Sequence, residues 1–184
     1  MKIRSFLLLT LLTLSITLLS LTPRVLTQDL PFPANATFFT GQPPTLVSAG
    51  TPDNAINWQL AHYYFTFNVP NSSPQSVGKV SIEQETNVET IQFNLSNTTA
   101  FQGTQDNPGQ SLTVKVTENT QDQAIAITFD PPVPPNSTFT IRLEANQNPS
   151  TQGTYIFRVK AFPNGDNPIG LDLGVGRISF YQNF

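Results

Sequence analysis

The sequence predicts an all-β protein, an immunoglobulin-like antiparallel β-sandwich of seven to nine strands with one short helix. Three observations carry that prediction. Short segments of alternating apolar and polar residues recur along the chain, and clusters of Gly, Pro, Asn, Asp and Ser separate them. The third is composition: 14 phenylalanines stand among only 11% charged residues. Alternation rich in β-branched and aromatic residues marks half-buried strands, and repeated turn signals mark sandwiches or barrels. Many aromatics with little charge argue against a disordered chain.

Nine segments show the period: residues 45–48, 63–69, 79–85, 88–95, 112–118, 124–129, 138–144, 154–161 and 177–181. In 88–95, Ile91, Phe93 and Leu95 fall on one face and Gln92 and Asn94 on the other. In 138–144, Phe139, Ile141 and Leu143 alternate with Thr140, Arg142 and Glu144. Asn71-Ser72-Ser73-Pro74, Asn107-Pro108-Gly109 and Pro163-Asn164-Gly165-Asp166 read as turns. Residues 130–136 contain four prolines. Proline has no ladder donor, so this run is expected to be a stiff connection at an edge rather than a central strand. Thr51-Pro52-Asp53-Asn54-Ala55 supplies the one helix signal, with Thr51 as N-cap and Pro52 in the first turn. The closing residues alternate at Ile178 and Phe180 and finish on Phe184, as in some outer-membrane barrels. Gln182 breaks the series and the strands are short, so an ordinary last strand is expected.

Lys2 and Arg4 precede an apolar run from Phe6 to Leu21, the pattern of a secretory signal peptide. The run is shorter than the roughly 20 residues of a membrane-spanning helix. Val25-Leu26-Thr27 best fits the small-residue rule, which divides the chain into a signal peptide at 1–27, an extended leader at 28–42 and one domain at 43–184. Retention of the segment as an anchor is the alternative; once it is cleaved, no integral membrane insertion is expected. With no cysteine, a lipoprotein anchor and a disulfide framework are both excluded. The expected location is therefore outside the cytoplasm: periplasm or cell surface, with a thylakoid lumen also open. Beyond residue 27 the chain has 12 acidic and 6 basic residues. That balance repels phosphate backbones, and no nucleic-acid partner is expected.

Asn, Gln, Ser and Thr together number 66, so the polar surface is largely uncharged. Catalytic residue types are scarce. His62 is the single histidine, and no Gly-x-Ser-x-Gly elbow accompanies it. One histidine and the initiator methionine cannot build a transition-metal site, so no metal or other cofactor is expected. Asn164, Asp166, Asn167 and Asp172, and Asp53 with Asn54, lack the spacing of a calcium loop and read as turn residues. A carboxylate-dependent glycan hydrolase would draw its acids from Glu83, Glu85, Glu89, Glu118 or Glu144. Trp58, Tyr63, Tyr64, Tyr155 and Tyr181 supply flat amphipathic rings, and the amides supply donors and acceptors; both suit neutral polysaccharide. Trp58, Tyr63 and Tyr155 are the candidate ligand-binding residues, although for Trp58 packing in the core or at its edge is the favoured reading over a sugar platform.

The segments Pro43-Pro44-Thr45-Leu46-Val47-Ser48-Ala49, Tyr63-Tyr64-Phe65-Thr66, Ala100-Phe101-Gln102-Gly103 and Phe129-Asp130-Pro131-Pro132-Val133-Pro134-Pro135 are distinctive. So are Gly153-Thr154-Tyr155-Ile156-Phe157, Ala161-Phe162-Pro163 and Gly176-Arg177-Ile178-Ser179-Phe180-Tyr181. Together, over about residues 43–181, the chain resembles a group of exported cyanobacterial proteins classed as a domain of unknown function. The resemblance implies a bacterial envelope protein and transfers no activity or site residue. It makes the Asn-x-Ser/Thr sequons at Asn35, Asn71, Asn94, Asn97 and Asn136 incidental. The proline-rich connection and Gly153-Thr154-Tyr155 are also similar to periplasmic copper-resistance β-sandwich proteins. The histidines and methionines of such copper sites are missing, so only their fold is implied. The expectation is an exported, non-catalytic module that binds or supports an envelope protein or polysaccharide. A glycan hydrolase and a subunit of a surface filament are the alternatives.

Overall fold

In a computed structural model of the protein, residues 32–119 and 124–182 are described. The expected signal peptide, and the leader up to residue 31, lie outside them. Ten strands form two antiparallel five-stranded sheets packed as a sandwich. In chain order they are β1 Thr45–Gly50, β2 Gln59–Val69, β3 Val77–Gln84, β4 Thr99–Gly103, β5 Pro108–Leu112, β6 Val114–Asn119, β7 Ala124–Val133, β8 Ser137–Gln147, β9 Gly153–Pro163 and β10 Leu171–Phe180. One sheet runs β1-β2-β8-β4-β5 and the other β10-β9-β3-β7-β6. Only Thr113 separates β5 from β6, so the chain passes from one sheet to the other in a single residue.

The alternation written in the sequence becomes the division between core and surface. On β2, Tyr63, Phe65, Phe67 and Val69 are fully buried. Their partners across the strand pair are Leu143, Ile141, Phe139 and Ser137 of β8. From the opposite sheet, Tyr155, Phe157, Val159 and Ala161 of β9 meet them. Phe157 stands edge-on to Tyr63 and Phe65, at centroid distances of 6.0 and 5.7 Å. Phe67 stacks on Phe139 at 4.9 Å, and Phe129 closes that side edge-on to Phe139 at 5.2 Å. Each buried aromatic or large aliphatic side chain contributes about 1.5–3 kcal/mol, and edge-to-face pairing adds to it. At one margin β1 and β10 approach so closely that a Cβ on Gly176 would lie 2.4 Å from the Cβ of Ala49.

Several expected elements differ. Ten strands form where seven to nine were expected. The segment 88–95 is not a strand. Its alternation is real, since Ile91 is buried and Phe93 and Leu95 pack on the core, but only sparse bonds tie it to β8. Asn94 N–H donates to the Glu144 carbonyl and Asn146 N–H to the Gln92 carbonyl. Strands β4 and β5 lie outside the nine expected segments: β4 is five residues long and buries only Ala100, and in β5 Pro108 and Gly109 look like a turn, which an edge strand tolerates. The helix expected at 51–55 does not form. Thr51 Oγ1 accepts the Asp53 N–H, Asp53 Oδ2 accepts the His62 N–H, and Ala55 bridges to Tyr181, so these groups are satisfied in an extended turn. The one helical element among the described residues is a 3-10 turn at Leu95–Asn97. Pro131 and Pro132, expected outside any central strand, lie within β7. They occupy a break in its register, where β3 moves from Lys79↔Thr128 to Val77↔Val133 and one β3 residue opposes four of β7.

Strand directions give the sandwich two ends. At the first, residues 37–41 are fastened to the β9–β10 and β2–β3 connections. Thr37 exchanges backbone bonds with Asn167 and Ile169, and Thr40 N–H donates to Gln75 Oε1. At the second end, the tip, the β1–β2 connection is bonded to Tyr181 through Asn54 and Ile56 and to Pro149 of the β8–β9 connection through Asn57. Phe157→Ala should lower unfolding free energy by about 3–5 kcal/mol in urea titrations, because its ring is the meeting point of both sheets. Gly176→Val should also destabilise strongly, whereas Gly50→Ala, with open space at the added Cβ, should be nearly neutral.

Candidate functional site

The tip is organised by one buried amide. Asn148, 2% exposed, accepts the Tyr63 hydroxyl at 2.8 Å through Oδ1. Its Nδ2 donates to the carbonyls of Asp53 and Ala55, and its own N–H donates to the Trp58 carbonyl at 2.8 Å. A fully satisfied buried amide fixes its neighbours firmly, since any rearrangement would strand a polar group in the core. The core therefore holds the β1–β2 connection directly. Asn57 and Leu60 take left-handed backbone, with φ of 59° and 55°. Asparagine tolerates this; leucine does so rarely, and here it stands between the pairs Gln59↔Gln147 and Ala61↔Ala145 without a β8 partner of its own. The result is an outward display of Trp58, Leu60 and Tyr181, 49%, 58% and 57% exposed.

Beside this apolar group lies a cleft of about 370 Å³, whose lining includes Asn57, Gln92, Asn146, Gln147, Asn148 and Ser150. Gln147 Nε2 donates to Asn57 Oδ1 at 3.3 Å across it. At its rim, Glu89 accepts the N–H groups of Ser150 and Thr151, at 2.9 and 2.7 Å, and the Ser150 hydroxyl at 2.9 Å. The Thr151 and Ser150 bonds hold the Glu89 carboxyl well below the usual carboxylate range, at about 2.

A second recess lies on the outer face of the β1-β2-β8-β4-β5 sheet. The β4–β5 hairpin folds back over that face: the Gly103 carbonyl accepts Thr140 Oγ1–H at 2.8 Å. Residues 104–106 come to border β1 and β2. Thr66 and Thr140 are buried beneath it although they point away from the core, and their hydroxyls share a 2.9 Å bond. Next to the hairpin, Tyr64 and Arg142 are direct cross-strand partners, and Thr99 flanks Arg142 on its other side. His62 and Glu144 form the next pair, with His62 Nε2 3.5 Å from Glu144 Oε2 and Nδ1 3.8 Å from Asp53 Oδ2.

Of the ligand-binding candidates read from the sequence, the tip displays Trp58 alone. Tyr63 and Tyr155 are core residues, 0% and 1% exposed, and offer no ring face to a ligand. Burial pushes both phenol groups up, and their hydroxyls are committed to Asn148 and to the Thr151 carbonyl. Alternation alone places them there, since they share the inward faces of β2 and β9. Three of the five carboxylates considered for hydrolysis are spent on structure. Glu85, together with Asp172, clamps Arg158 at 2.7 and 2.6 Å, Glu89 caps the β8–β9 connection, and Glu144 accepts the amide of Asn97 at 2.7 Å. Glu83 lies on β3 and Glu118 on β6. Among the described residues no group of three or more His, Cys, Asp or Glu is placed to hold a metal ion, and no helix is long and apolar enough to cross a membrane. The sequence reading missed Asn57, Gln92, Asn146 and Gln147 as a cleft, and Arg142 as a groove residue. Their signal was position on polar strand faces, but what converges there depends on loops that alternation does not describe.

An immunoglobulin-like β-sandwich with a rigid tip and an overhung sheet face is the class these features define. The chain belongs to the family described as Protein of unknown function (DUF2808), whose model matches residues 36–180. Comparison with curated protein sequences gave no match. Among solved structures, the chain is similar to the collagen-binding subdomain of the Enterococcus faecalis surface protein ACE. Identity is 10% over 78% of this chain and 97% of that one, with a TM-score of 0.44. It is also similar to an uncharacterized Nocardia farcinica protein with an immunoglobulin-like fold, at 15% identity over 73% and 97% of the two chains and a TM-score of 0.45. The collagen-binding domain of a Staphylococcus aureus adhesin matches at 11% identity over 79% and 98%, with a TM-score of 0.40.

The depressed carboxyl of Glu89 makes its bonds a source of stability that is fully present above about pH 4.5 and is lost as pH falls toward 2. Glu89→Gln should therefore reduce stability at pH 7 and flatten the acid limb of the stability profile. Solvent screening limits the effect to less than about 1 kcal/mol. Urea titrations at pH 7, 4 and 2.5 read it directly.

Proposed function

We propose that this protein is an exported, non-catalytic module of the bacterial envelope that binds a polysaccharide through its tip. The observation that carries the reading is the pairing of an exposed indole, Trp58, with a cleft walled by Asn57, Gln92, Asn146 and Gln147. Aromatic faces pack on the C–H faces of sugars, and neutral amides match hydroxyls without the desolvation cost of charges. Because Asn148 fixes the surrounding backbone, little ordering cost accrues on binding. Export is supported by the basic start and short apolar run of residues 1–27, and periplasm or cell surface is the location that follows.

The alternatives draw less support. A hydrolase needs two acids free to act on one bond, and of the five glutamates considered, Glu85, Glu89 and Glu144 are engaged with Arg158, the β8–β9 connection and Asn97. A filament subunit donating its leader needs that segment free, and residues 37–40 are bonded to their own domain.

Co-sedimentation with isolated envelope polysaccharide and peptidoglycan tests the reading. Saturable pelleting that soluble sugar competes away is expected, and Trp58→Ala should weaken it about tenfold with an unchanged melting temperature. Absence of pelleting, or a Trp58→Ala protein that binds as well as the parent, would refute tip-mediated glycan binding and turn the search to a protein partner. For export, residues 1–30 fused to alkaline phosphatase should give an active, extracytoplasmic enzyme.

A further inference from the structure

The groove on the outer sheet face carries chemistry that the tip lacks. It has a volume of about 380 Å³, inside the range of about 300–1,000 Å³ common to small-ligand sites. Tyr64, Thr99, Phe101, Gln105, Ser111 and Arg142 contribute to its lining. Arg142 is unusual in this molecule. Its Nε is buried and has no hydrogen-bond partner, and among the described residues no carboxylate lies within salt-bridge distance of its guanidinium. The nearest acid along the same face of β8, Glu144, is already held by Asn94, Asn97 and His62. Tyr64 and Thr99 are the cross-strand neighbours of Arg142, and a guanidinium that lines the groove without a carboxylate partner has its terminal N–H donors to offer an incoming anion.

We propose that this groove binds an acidic polysaccharide, with Arg142 taking a sugar carboxylate, Thr99, Ser111 and Gln105 taking hydroxyls, and Tyr64 and Phe101 flanking the ring. The floor of the groove favours a sugar over a peptide. It is built from β2, β8 and β4, each hydrogen-bonded on both sides in this sheet, so an extended peptide cannot add a strand there; β5, which contributes Ser111, is the edge strand, and its Pro108 has no N–H to pair. Recognition must go through side chains, and these are a single cation among hydroxyls, an amide and two rings. The surroundings are acidic overall, so a lone cation selects a sparse, regularly spaced negative charge rather than a dense polyanion. The site is separate from the tip and does not rest on the reading given for it.

Affinity electrophoresis of the full-length protein in gels containing polygalacturonate, near 0.15 M salt, tests the proposal. The parent should be retarded, and Arg142→Gln should weaken retention roughly 10- to 100-fold, the scale of one lost charge-assisted bond. Ser111→Trp, at an exposed position, should fill the groove and weaken binding similarly with Arg142 intact. Circular dichroism melts confirm that both fold. Lys115→Gln, which removes an exposed cation on the other sheet, and Trp58→Ala should bind like the parent. Three results would overturn the proposal: no retardation of the parent, equal loss on Lys115→Gln, or equally tight and Arg142-dependent retention by polyglutamate. The last would make the groove an acidic-peptide site.

Discussion

The meeting of Phe157 with Tyr63 and Phe65 is the contact on which the rest depends. It joins the two sheets through their longest strands, edge of ring to face of ring. Tyr63 and the nearby core residue Tyr155 carry hydroxyls, and both find acceptors at the tip: Tyr63 in Asn148 and Tyr155 in the Thr151 carbonyl. Burial without those acceptors would cost roughly 1–3 kcal/mol for each hydroxyl. The same packing that closes the sandwich therefore dictates where the tip connections lie.

A surface with so little charge reaches solubility through amides and hydroxyls, and this shapes what its recesses hold. Some of its charges find each other or a backbone donor, as Arg158 does with Glu85 and Asp172, and Glu89 with Ser150 and Thr151. The tip cleft is walled mainly by amides, with Glu89 at its rim, whereas the groove on the sheet face holds one guanidinium. The distinction between the two recesses is thus electrostatic before it is geometric.

Much of the fold was legible because burial on one face imposes a period of two on side chains. Phe139, Ile141 and Leu143 announced β8, and Tyr63, Phe65 and Phe67 announced β2. The same rule misled at 88–95, where alternation records which side chains face the core but not whether a neighbouring strand completes a ladder. It failed at β5, an edge strand whose Pro108 and Gly109 look like a turn, and at β4, an inner strand of five residues that buries only Ala100. The candidate sites were less legible for a related reason. Exposure of Trp58 depends on the left-handed turn at Asn57 and the irregularity at Leu60, and shelter over Thr66 and Thr140 depends on a hairpin fold-back. Neither leaves a periodic trace. Tyr63 and Tyr155 were chosen as ring donors by residue type, while their place in the alternation had already assigned them to the core.

The two-ended layout of the sandwich has a mechanical consequence. Residues 37–41 are fixed at one end, while Trp58 and Tyr181 stand at the other, and β2 runs its 11 residues between them. At about 3.3 Å per residue that strand spans roughly 35 Å. A chain tethered near Phe32 would act as a stiff spacer, carrying its aromatic end one sandwich length clear of the attachment and leaving the overhung face exposed along the shaft.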